Sequence, residues 1–89
     1  MDTVFNAGNY NYNGETRNVS VAISDALTTA YRHAGIMEDD YMQKHIGDVI
    51  DEAIIDEICA VFDITDADRK NIDFGEEFEE LFHSVYVQL

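Results

Sequence analysis

Proline and tryptophan are absent from this chain of 89 residues, and cysteine occurs once. The lone Cys59 excludes an internal disulfide, so any fold must hold by packing alone. Without proline, no stretch reads as a stiff linker. Basic residues are almost as scarce: five Lys and Arg stand against nineteen Asp and Glu, a net charge of −14. A field of that sign repels phosphate backbones and anionic bilayers, so no direct contact with nucleic acid or membrane is expected. No apolar run approaches the roughly 20 residues of a membrane span. Nor does a basic leader precede an apolar core at the N-terminus. These absences point to a soluble, cytoplasmic protein.

What is present is enough for one domain, residues 1–89. A chain of this length buries only about 60–65% of its unfolded surface, so its stability is modest. The apolar fraction is 46%, ordinary for a globular protein. Its Ile, Val, Phe and Tyr content separates it from disordered chains of similar charge. No internal repeat is visible. The acids are unevenly spread: sixteen of them lie between Met37 and Leu89, against Lys44, Arg69 and Lys70.

The first 23 residues favour strand. Asn13-Gly14 is a strong hairpin signal, because a type I′ turn needs positive φ at both central residues. Tyr10 and Tyr12 alternate with asparagines before it; Val19, Val21 and Ile23 alternate with small polar residues after it. This predicts strands at Val4–Tyr12 and Glu15–Ile23. Ser24 or Asp25 then caps a helix to about Ala34, with Gly35 offering the left-handed stop. A second helix is predicted from Asp39 to Val61. Its arc of Met42, Ile46, Val49, Ile50, Ala53, Ile54, Ile58 and Val61 covers more than half the circumference. So wide an arc predicts a central helix with apolar surface to spare, hence a homodimer or ready association with a partner. Glu57 falls inside the arc and predicts a bend or a polar contact. Thr65 or Asp66 caps a short helix near Ala67–Ile72, and Gly75 breaks the chain. A last amphipathic helix starts at Glu76, and Val85–Leu89 reads either as its end or as a third strand. The fold class is α+β: an N-terminal β-hairpin packed on three to four helices.

No catalytic constellation emerges. His33, His45, Cys59 and His83 lack zinc-type spacing, and no nucleophile–base pair can be assembled. The segment Phe62–Phe78 looks like an EF-hand at a glance. Each register nevertheless places residues such as Ala67, Arg69 or Lys70 where oxygen ligands belong. A capped helix–turn–helix with solvated acids suits it better. The serine of an acyl carrier site is also missing, since Ser24-Asp25-Ala26-Leu27 reverses the required order. The expectation is a non-enzyme without metal or cofactor.

The acidic surface remains. Asp48, Glu52 and Asp56 form a row at helical spacing, about 6 Å apart. Asp63, Asp66, Asp68 and Asp73, and Glu76, Glu77 and Glu80, extend it. Duplex DNA presents a phosphate about every 3.4 Å per strand. In size, acidity and helix-rich build, the chain resembles the small DNA-mimic inhibitors of phages and mobile elements, such as anti-CRISPR and anti-restriction proteins. The resemblance lies in composition and charge layout and transfers no residue by position. It implies a partner with a basic nucleic-acid-binding surface. Tyr10 and Tyr12 would add aromatic contacts from the hairpin. Because the row lies on a polar face, reversing it to lysine is expected to leave the fold intact. The competing expectation is an acidic interaction or regulatory module that mimics nothing.

Overall fold

An antiparallel hairpin lies across a set of helices, the α+β arrangement expected above. The computed structural model describes residues 1–89. The hairpin strands are β1 (Asp2–Tyr12) and β2 (Glu15–Ser24). Five helices follow: α1 (Asp25–Ile36), α2 (Asp40–Val61), α3 (Asp66–Arg69), α4 (Phe74–Glu77) and α5 (Glu79–Tyr86). Three of them, α1, α2 and α5, are substantial. At the tip, Asn13 and Gly14 hold φ at 52° and 81°, the positive pair that a type I′ turn requires.

Simple alternation along β1 fails at one place. The register slips between Asn6 and Gly8. Gly8 sits at φ 97°, a bulge conformation that glycine enters without strain. The slip turns Tyr10 and Tyr12 to the same inner face as Phe5 and Ala7. From β2, Val19, Val21 and Ile23 are buried on that face. Below them run Ile46, Ile50, Ile54 and Ile58, one residue per turn of α2. Phe74, Phe78, Leu81 and Val85 complete the core. Fully burying each such side chain contributes roughly 1.5–3 kcal/mol. α2 packs against β2, and α5 against β1.

With only two strands, both are edges. The β1 edge is interrupted by the bulge and by Gln88, whose amide donates to the Asn6 carbonyl at 2.9 Å. β2 has no bulge, and no charged residue between Asn18 and Ser24. Counting back from the two-residue turn, Asn18, Ser20 and Ala22 direct their backbone groups away from β1.

Helix starts follow the sequence. Ser24, Asp39, Thr65 and Asp73 each accept the N–H three residues on, as N-caps should. The end of α2 falls at Val61 as expected, but that of α1 does not follow the sequence. Gly35 lies inside α1, which continues to Ile36, and the left-handed residue is Glu38 at φ 55°. The Asp39 N–H bonds the Ala34 carbonyl and Glu38 bonds Gly35, which closes a Schellman motif. Asp63, at φ 54°, ends α2 in the same way, with Ile64 N–H on Cys59. Arg17 reaches over from β2 to donate to the Val61 carbonyl, a cation at the negative end of α2.

Four further expectations are corrected. Gly75 does not break the chain but lies within α4, because Asp73 starts that helix earlier than Glu76. The interruption comes at Phe78, which separates α4 from α5. α3 covers Asp66–Arg69 rather than Ala67–Ile72. No third strand forms: α5 runs to Tyr86, and Val87 to Leu89 turn back on its last carbonyls. Glu57 causes no bend, since α2 is one continuous helix and Glu57 is only partly covered.

Candidate functional site

The acids sort into two groups according to whether a cation meets them. Asp48, Glu52 and Asp56 do line one exposed face of α2, as their spacing predicts. All three are met by cations. Lys44 pairs with Asp48 at 3.2 Å. Arg69, arriving from α3, bonds Glu52 and sits 2.8 Å from Asp56. The hydrogen bond to Asp56 is the main reason the Arg69 guanidinium is held above its already high ordinary pKa. The row is therefore laced with positive charge. Reversing it to lysine would set three cations against Lys44 and Arg69 and remove the ion pairs that join α3 to α2.

The acids between Asp66 and Glu80 meet no such cation. Only five of the nineteen carboxylate side chains, Glu15, Asp48, Glu52, Asp56 and Asp63, lie within salt-bridge distance of Lys or Arg. Asp66 and Asp68 stand exposed on α3. Glu76 and Glu77 on α4 face the hairpin tip across an open cleft of about 620 Å³. Tyr10, Tyr12 and Asn13 form one wall, while Asn71, Ile72 and Asp73 form the other.

The tyrosine wall is rigid for a structural reason. The Tyr10 and Tyr12 rings lie 5.0 and 5.3 Å from Phe78, and Tyr12 is 5.6 Å from Phe62. The Tyr10 hydroxyl donates to the Glu77 carbonyl, which ties the hairpin to α4. These rings are half-buried, not free contact residues on an open strand. The bulge at Gly8 is what turns them inward. Burial first, then the charges of Glu77 and Glu80, push the Tyr10 phenol above its ordinary pKa. The phenol stays neutral, so the cleft offers carboxylate acceptors and π faces. A guanidinium or ammonium group is the natural complement.

Of the residues proposed from sequence, Tyr10, Tyr12, Glu76 and Glu77 thus share one cleft, and Glu80 follows in the first turn of α5. Asp48, Glu52 and Asp56 form a separate, internally paired face, and Asp66 and Asp68 lie on the helix that carries Arg69. Two lining residues, Asn71 and Ile72, were not foreseen as site residues. Nothing in their spacing marks them, because it is the fold that brings loop and tip together. The pairing role of Arg69 carried a weak signal: a lone arginine among acids rarely stays unpaired.

No three His, Cys, Asp or Glu side chains converge as metal ligands. The acids of the EF-hand-like stretch are used otherwise, with Thr65 and Asp73 serving as helix caps. Cys59 is half-buried, and burial raises its thiol pKa despite the opposing pull of Arg69. No helix is long and apolar enough to cross a membrane. Comparison with protein-family models, curated proteins and solved structures finds no match.

Proposed function

We propose that this protein is a non-enzymatic, cytoplasmic inhibitor that occupies the basic nucleic-acid-binding groove of a target such as a CRISPR effector or a restriction enzyme. The observation that carries this reading is that the acids from Asp66 to Glu80 meet no cation and that Asp73, Glu76 and Glu77 among them line a tyrosine-walled cleft. A surface that keeps its carboxylates free of internal cations is available to Lys and Arg of a partner. Its field would also speed the encounter. The row of Asp48, Glu52 and Asp56 contributes less, because Lys44 and Arg69 already offset it.

The test is cleavage by a panel of purified CRISPR effectors and restriction enzymes, with and without the protein. Stoichiometric inhibition of at least one, relieved by added duplex and by salt, is the expected result. Combined Glu76→Gln, Glu77→Gln and Glu80→Gln substitution should weaken that inhibition more than Asp48→Asn. Inhibition that ignores both salt and the triple substitution would exclude mimicry by this face.

A second reading, an acidic interaction or regulatory module without mimicry, draws on a different observation. Large apolar side chains stand exposed where α1 meets α2. It expects binding that persists at high salt and no competition by duplex.

A further inference from the structure

Five of the eight large apolar side chains left exposed, Ile36, Met37, Tyr41, Met42 and Val49, fall between Ile36 and Val49. Tyr41 is 82% exposed and Ile36 is 79% exposed. A cluster of this kind on a small protein marks a contact surface more often than chance. It is not flat. Ala30, His33 and Ala34 of α1, with Met37, Met42 and Ile46, line a groove of about 350 Å³ at the corner between the helices. Ile46 belongs to the core and forms its floor. Met37 and Met42 flank it, and their flexible thioethers can fit side chains of several shapes.

We infer that this groove seats an apolar side chain of a protein segment whose neighbouring residues are Lys or Arg. The rim decides the charge. Asp39 lines the groove and Glu38 precedes it in the turn between the two helices, and neither has a cation within salt-bridge distance. A second copy of the chain is the wrong occupant. A two-fold pairing through this corner would bring one acidic rim against the other, in molecules that each carry −14. An anionic bilayer is disfavoured for the same reason. A basic segment with an apolar anchor satisfies both parts, the anchor entering between the methionines while its flanking cations meet Glu38 and Asp39.

The groove and the tyrosine cleft lie at opposite ends of α2. Tyr12 packs on Phe62 just past its C-terminus, whereas Met42 and Ile46 lie in its first two turns. At about 1.5 Å per residue the separation is roughly 25–30 Å. The basic character of the partner rests on the proposed function above, but the groove itself does not use the cleft. A partner reaching both ends would gain by effective concentration.

Two peptides serve as probes of the full chain by NMR: a Lys/Leu peptide with its leucines on one helical face, and a Lys/Ser analogue of equal charge. The Lys/Leu peptide should shift the methyl signals of Met37, Met42 and Ile46, and the Lys/Ser peptide should leave them in place. Combined Met37→Asp and Met42→Asp substitution should lower Lys/Leu affinity about tenfold, the loss of one buried apolar contact. That loss runs against the added negative charge, so simple electrostatics cannot produce it. Both side chains are exposed, and the methyl map on the unmodified protein stands even if the variant is unstable. Equal methyl shifts from both peptides, or unchanged affinity in the variant, would overturn the inference. So would sedimentation as a dimer whose Met42 methyls contact the other copy. Failure of the cleft reading looks different: Lys/Ser peptide shifts absent from the Glu76–Glu80 region while the groove methyls still respond to Lys/Leu.

Discussion

Glu38 adopts a left-handed conformation that favours glycine, at φ 55° in the turn after α1. Its Cβ crowds its own backbone there, at a cost of roughly 1 kcal/mol. Glu38→Gly should therefore raise stability by about 1 kcal/mol, and removing one unpaired acid acts in the same direction. Urea denaturation of the two proteins measures it, and a fall in midpoint would show that the side chain contributes more than its strain. Tyr86 presents the opposite case. Its hydroxyl, half-buried, donates toward the Gly47 carbonyl and the Asp51 carboxylate. Tyr86→Phe should cost about 1 kcal/mol. Burial, followed by the bond to Asp51, pushes the phenol's pKa far above its ordinary value. An unfolded tyrosine ionises near pH 10. The folded state thus holds its proton more tightly, and this contribution is complete below about pH 10 and drains away as pH rises further. Melting temperatures from pH 8 to 11 should fall at the alkaline end, and less steeply in Tyr86→Phe.

Among the elements, α2 decides the architecture, and its two faces respond differently to substitution. Ile54 is 0% exposed, and Ile54→Ala should cost about 2–5 kcal/mol. Val49, on the same apolar arc, is 46% exposed, and Val49→Ala should change stability by less than about 0.5 kcal/mol. Equal losses in denaturation would show that the arc is covered in solution. The contrast also marks where sequence reasoning stops. The hairpin, its turn and the starts of α1, α2 and α3 are legible, because turn chemistry and capping are local; the start of α4 at Asp73 is not. Ile46, Ile50, Ile54 and Ile58 are legible as a core stripe by their period. The left-handed residues that close α1 and α2 are not, because Glu38 and Asp63 stand where a local rule requires glycine. The bulge is hidden as well: only the inward turn of Tyr10 and Tyr12 shows why Gly8 stands where it does. The row of Asp48, Glu52 and Asp56 is readable as geometry. Its neutralisation by Arg69 depends on a tertiary contact seventeen residues away from Glu52.

At the scale of the whole molecule, unpaired carboxylates outnumber the paired ones, and their repulsion opposes the compact state. Raising ionic strength from about 0.01 M to about 0.5 M shortens the Debye length severalfold. The melting temperature should rise over that range, and calorimetry or circular dichroism reads it directly. A flat response would mean that counterions or structure already dissipate the field. Yet the same charge also keeps copies apart, and that matters at β2. Along Asn18, Ser20 and Ala22 this strand presents an open, unbulged edge with none of the lysines or prolines that usually defend one. The molecule's solubility is therefore borrowed from its long-range field, not built into its exposed strand. Salt that tightens the monomer also removes the barrier to strand-on-strand growth, so the most stable solutions should be the first to scatter light on prolonged storage.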